Sequence, residues 1–91
     1  IADVMQQGRD MYTEEVGALE GFKVYESRAN FILIKYPIEL KEALQAEFAS
    51  ESYKVKFMNE PGIDTHMRIT LGRAEQNRKV CDVILKIANA R

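Results

Sequence analysis

Cysteine occurs once in this 91-residue chain, histidine once and proline twice. One Cys, Cys81, excludes an internal disulfide framework and any multi-cysteine metal site. One His, His66, leaves neither a helix-borne His pair nor a Cys/His metal spacing. The sequence also lacks a long hydrophobic run. Its most apolar stretch, residues 31–36, already contains Lys35, far short of the roughly 18–20 residues of a membrane span. No signal peptide, Gly-rich phosphate loop or nucleophile elbow is visible. Charge of one sign is missing too. Thirteen Lys and Arg stand against 14 Asp and Glu, for a net charge of −1, so no global basic field draws in nucleic acid or an anionic membrane. A protein of the reducing cytoplasm is the expectation. The chain opens on Ile1 without an initiator Met, within an amphipathic pattern, and is expected to be one domain (1–91) cut from a longer protein.

What is present is strong periodicity. Ile1, Val4, Met5, Gly8, Met11, Tyr12, Val16 and Leu19 recur at helical spacing, with polar residues between them. Gly21 fits the residue that ends such a helix. Phe22-Lys23-Val24-Tyr25 alternates as a short strand, and residues 26–30 read as a connection. Phe31-Ile32-Leu33-Ile34-Lys35-Tyr36 is apolar on both alternating sets, so a central strand with both faces at least partly covered is expected. After Pro37, the stripe of Leu40, Ala43, Leu44 and Phe48 predicts a helix over 38–49, closed by Ser50-Glu51-Ser52. A third strand is expected over 53–58, with Tyr53, Val55 and Phe57 on one face and Lys54, Lys56 and Met58 on the other. Asn59-Glu60-Pro61-Gly62 is a turn signal. The fourth strand, 65–71, puts Met67, Ile69 and Leu71 on one face and His66, Arg68 and Thr70 on the other. Gly72 is expected to open a last helix lined by Ala74, Val80, Cys81, Val83, Ile84, Ile87 and Ala88. The order α-β-β-α-β-β-α predicts an α/β two-layer sandwich: a small, largely antiparallel four-stranded sheet with three helices on one face.

Arg68 stands out chemically. A guanidinium mounted on a stiff strand presents a planar fork of donors suited to a carboxylate or phosphate, although a solvated strand Arg meets the same pattern. Lys56 lies on the adjacent strand candidate and on the same side, so the two can form a small anion-binding patch; Lys54 shares the face of Lys56. His66 reads as a strand-end surface residue, Tyr25 and Tyr36 as packing residues, and Cys81 as a small core side chain. No general-base pair and no lysine in a desolvated pocket stands out.

Two segments carry a resemblance. Ser27-Arg28-Ala29-Asn30-Phe31-Ile32-Leu33-Ile34 and Met67-Arg68-Ile69-Thr70-Leu71-Gly72, the latter followed by Glu75-Gln76-Asn77, resemble motifs of the small C-terminal domain of fold-type I, pyridoxal-phosphate-dependent aminotransferases. Gly21-Phe22-Lys23-Val24-Tyr25 matches the strand before the first motif, and the ordered set covers nearly the whole chain. The histidinol-phosphate aminotransferase branch is the most similar, which implies a dimeric enzyme of amino-acid biosynthesis. The resemblance implies that Arg68 binds the substrate's α-carboxylate. It also implies that Lys56 or Lys54 stands where a second basic residue, usually Arg, helps to hold the anionic end of the substrate. Lys in place of Arg keeps the charge and loses the fork, and Arg73 stands where Thr is commoner.

In such enzymes the Schiff-base Lys, the Asp facing the pyridinium nitrogen and the phosphate-binding loop lie in the large domain. None has a counterpart here, so the chain alone is expected to bind no cofactor and catalyse nothing. The substrate would be an amino acid or a phosphorylated amino compound. A threonine-phosphate decarboxylase-like enzyme shares the same Arg and fits the segment equally. A stand-alone regulatory or protein-binding module of ferredoxin-like type would instead run β-α-β-β-α-β, without the helix-first order or the Ser-x-Ala-Asn-Phe segment.

Overall fold

A computed structural model describes residues 2–25, 29–49 and 54–91. Four short strands form one sheet: β1 (Lys23–Tyr25), β2 (Phe31–Lys35), β3 (Val55–Phe57) and β4 (His66–Thr70). Their spatial order is β1-β2-β4-β3 and every pairing is antiparallel. The expected α/β sandwich is therefore present, with β2 and β4 at its centre. Tyr53, Ser50-Glu51-Ser52 and Ser27-Arg28 lie outside the described residues.

Alternation decides what each face does. Ile32 and Ile34 of β2, Met67 and Ile69 of β4 and Val55 of β3 are all buried in one cluster. The helices cover that face. α1 (Ala2–Met11) runs into a π-helical turn over Tyr12–Val16, and a 3-10 turn over Ile38–Leu40 leads into α2 (Lys41–Glu47). α3 (Ala74–Asn89) closes the layer, contributing Val80, Cys81, Ile84, Ile87 and Ala88 to the core. The stripe of Leu40, Leu44 and Phe48 is buried as its spacing requires, while Ala43 and Ala74 face solvent.

The first helix does not continue regularly to Leu19. Gly17 N–H donates to the carbonyl of Tyr12 at 3.1 Å, five residues back, a wider turn than the α-helical one. Tyr12 and Val16 are both fully buried at its two ends. The chain then turns at Gly21, whose φ of +84° and whose approach to Pro37 (2.8 Å from a notional Cβ) leave no room for a side chain. The last helix begins at Ala74 rather than at Gly72. Gln76 Oε1 accepts a hydrogen bond from Arg73 N–H at 3.3 Å, which closes its first turn.

An ion pair ties the π-helical turn to α3. Arg78 donates two parallel hydrogen bonds to Glu15, at 2.7 and 2.6 Å, and two more to Asp82 Oδ1, at 2.9 and 2.7 Å. The guanidinium holds the Glu15 carboxyl below its usual range. Beside this pair lies Cys81, buried and free. Burial, with the Glu15 carboxylate nearby, pushes its thiol up to about 11. Only the thiolate reacts with alkylating agents. At pH 8 the native protein is therefore expected to resist iodoacetamide, and one equivalent should react in denaturant. Mass spectrometry after timed quenching checks this; rapid native labelling would contradict the burial.

Candidate functional site

The sheet face away from the helices carries the candidate residues Arg68 and Lys56. Register places Tyr25 of β1, Leu33 of β2, Arg68 of β4 and Lys56 of β3 in one continuous cross-strand row. Side chains directly opposite on neighbouring strands stand about 4.5–5.5 Å apart at Cβ. Arg68 thus has an apolar neighbour on one side and an ammonium on the other. Strand pairing brings the two sequence-predicted residues together: Lys56 and Arg68 are direct partners. Lys54 lies one step beyond the β3 ladder, where its carbonyl accepts Thr70 N–H at 2.8 Å.

The electrostatics of this face are one-sided. Lys35, Lys23, Lys56 and Arg68 are all exposed, and among the described residues none of them forms an ion pair. Like charges set side by side are destabilising. Lys56 beside Arg68 therefore costs stability unless an anion lies between them. Ring faces take up part of the charge. The Arg68 guanidinium carbon lies 5.3 Å from the centroid of the Phe31 ring, and Lys23 Nζ lies 4.9 Å from that of Tyr25.

Phe31 and Leu33 are half-buried. The two apolar sets of β2 are accordingly treated differently: Ile32 and Ile34 are sealed by the helices, while Phe31 and Leu33 border the open cationic face. That arrangement offers an anionic group two positive side chains and a low-polarity wall, which strengthens the attraction once water is displaced.

His66 differs from its expected surface position. It is only 8% exposed, and its ring lies 5.7 Å from that of Tyr25. β1 sits next to β2, so the Tyr25 ring reaches diagonally across and closes over the imidazole. Its Nδ1 is buried with no hydrogen-bond partner among the described residues. Tyr36 is a packing residue as expected, edge-on to Phe57 at 6.0 Å. Its hydroxyl, pushed up to about 12 by burial and by Asp64, is a poor candidate for acid-base work near neutrality.

Asn77 is a residue to which the sequence reading gave no role. Gly72 N–H donates to its Oδ1 at 2.9 Å, and its Nδ2 donates to the Gly72 carbonyl at 3.1 Å. The carboxamide thus holds the backbone where β4 leaves the sheet, four residues beyond Arg68. The signal in the sequence was Asn77's place in the Glu75-Gln76-Asn77 segment after Gly72, which does not say what the side chain bonds to.

Among the described residues no group of three or more His, Cys, Asp or Glu is placed to hold a metal ion. No described helix is long and apolar enough to cross a membrane.

Comparison with known proteins places the chain. No protein-family model matches it. Curated relatives do. The chain is 34% identical over 83 residues, 88% of its length, to the histidinol-phosphate aminotransferase of Roseiflexus castenholzii. It is 30% identical over 83 residues, 91% of its length, to that of Acinetobacter baylyi. To histidinol-phosphate aminotransferase 1 of Hydrogenovibrio crunogenus it is 34% identical over 73 residues, 77% of its length. The matched segment is 22%, 23% and 20% of those proteins respectively, so the chain spans about a fifth of the length of the relatives it matches.

Proposed function

We propose that this aminotransferase-like chain, a relative of the histidinol-phosphate aminotransferases, is the small domain that grips an anionic group of the substrate in a pyridoxal-phosphate-dependent aminotransferase. One observation carries the proposal. Arg68 and Lys56 stand directly opposite each other on an open sheet face, unpaired among the described residues, beside Phe31 and Leu33. The relatives' names support the reaction class.

In this reading Arg68 is the anchor. Its fork takes both oxygens of a carboxylate, and the strand fixes the angle at which the substrate is presented. Lys56 adds a single-point contact from the neighbouring strand. Holding a substrate in reactive geometry can supply on the order of 7–11 kcal/mol of a barrier at the favourable limit.

The chain's own residues do not fit a site for the cofactor. No described lysine is buried, and the most shielded, Lys41 and Lys54, are only half-covered. A desolvated amine of the kind that bonds to the cofactor's aldehyde is therefore not offered by them. Pyridoxal phosphate belongs, in this proposal, to a large domain elsewhere in the intact protein, and the present chain alone is inactive. That large domain, an amino-acid or phosphorylated amino substrate, and a second copy of the intact chain are the proposed partners.

The intact protein, supplied with an amino donor such as glutamate and a 2-oxo acid or its phosphorylated counterpart, is expected to form new amino compound and new oxo acid in equal amounts. Release of carbon dioxide with no oxo acid consumed would overturn the transfer reaction and favour a decarboxylase.

A further inference from the structure

We propose that Phe31 is a positioning residue for Arg68, acting through the face of its ring rather than through its volume. The inference rests on the reading of Arg68 as an anion anchor. Phe31 pairs with Thr70 in the β2–β4 ladder, and Arg68 pairs with Leu33, so ring and guanidinium meet on the diagonal. The guanidinium carbon is 5.3 Å from the ring centroid. Among the described residues the Arg68 side chain has neither a hydrogen bond nor an ion pair, so the Phe31 ring is its one specific contact.

Two forces act in the same direction. Lys56, directly opposite on β3, repels the guanidinium. The negative face of the Phe31 ring, on the β2 side, attracts it. Both favour an Arg68 side chain that leans toward β2, where its guanidinium carbon lies over the Phe31 ring. The N–H groups of a guanidinium lie in its own plane, and a ring face takes up none of them, so all its donors stay free for a carboxylate. An unsupported arginine would have to give up rotamer freedom at the moment of binding; here part of that ordering exists beforehand. The half-buried Phe31 also keeps water from one side of the guanidinium, which sharpens its attraction for an anion.

The test uses the intact protein with steady-state kinetics. Phe31→Leu and Phe31→Met keep an apolar side chain of similar bulk and remove the ring face. Each is expected to raise KM for the anionic substrate about five- to tenfold, with kcat within about twofold and an unchanged melting temperature. Phe31→Tyr keeps the face and should stay within about twofold of the native KM. In an Arg68→Lys background, where no planar group remains to be oriented, Phe31→Leu should change KM much less than in the native protein. Native KM in both Phe31→Leu and Phe31→Met overturns the inference, as does an equal rise in Phe31→Tyr. A native KM in Arg68→Ala overturns the anchor itself, whereas loss of binding there with unaffected Phe31 variants removes the positioning role alone.

Discussion

Arg68→Ala in the intact protein is expected to raise KM for the anionic substrate about 100-fold, leaving the fold intact. Hydrogen bonds to charged groups contribute about 1.5–3 kcal/mol, and a bidentate pair at the upper end corresponds to roughly two decades of affinity. The side chain is exposed and touches little except the Phe31 ring, so its removal opens no cavity. Arg68→Lys should recover part of the loss, to about tenfold, because charge remains while the fork is gone. Lys56→Ala should cost less, about three- to fivefold, since its amine makes one flexible contact at an exposed position. The order Arg68→Ala above Arg68→Lys above Lys56→Ala is the discriminating result, read from KM at fixed ionic strength. Native kinetics in Arg68→Ala would dismiss the anion-anchor reading, whatever reaction the protein performs.

How much of this was legible beforehand follows the range over which each signal acts. Alternation along a strand is local, so the division of β4 into Met67 and Ile69 inside and Arg68 outside can be read directly. The pairing of Lys56 with Arg68 was within reach because a turn at Pro61-Gly62 joins two short strands, and Gly62 does adopt φ +90°. Features set by spatial order were not. His66 lies on the expected face, yet it is buried by Tyr25, and that contact exists only because β1 adds to the sheet beyond β2. The ring of Phe31 meets Arg68 through register, which no period in the sequence encodes. The π-helical turn at Tyr12–Val16 was invisible for a different reason. It packs against α3, to which the Glu15–Arg78 pair ties it, while the apolar spacing around it still reads as one helix.

Asn77→Ala is expected to lower the melting temperature by about 10–20 °C. The side chain is 3% exposed, and both hydrogen bonds that it makes go to one residue, Gly72. Its loss leaves a half-buried N–H and C=O without partners, at about 1–3 kcal/mol each when water cannot fully replace them. For a domain of this size each kcal/mol moves the midpoint by roughly 4–8 °C. The site is also tightly packed, because a Cβ on Gly8 would approach Asn77 Nδ2 to 2.8 Å. Gly8→Ala should thus destabilise the native protein despite the better helix propensity of Ala. In the Asn77→Ala background, with the amide removed, the same change should be close to neutral.

Asn77→Asp separates the two bonds. An ionised carboxylate keeps the acceptor for Gly72 N–H but faces the Gly72 carbonyl with no donor. Burial and that repulsion raise the folded-state pKa of the new acid above its unfolded value of about 3.9. The unfolded chain then releases its proton first, so the variant loses stability relative to the native protein as pH rises above about 4. Below that pH the protonated acid can donate to the carbonyl and the gap should narrow. Thermal melts at pH 3.5 and 7 decide the matter. A gap that is independent of pH, or an Asn77→Ala midpoint within a degree or two of native, would show that the joint between β4 and α3 is held by packing alone.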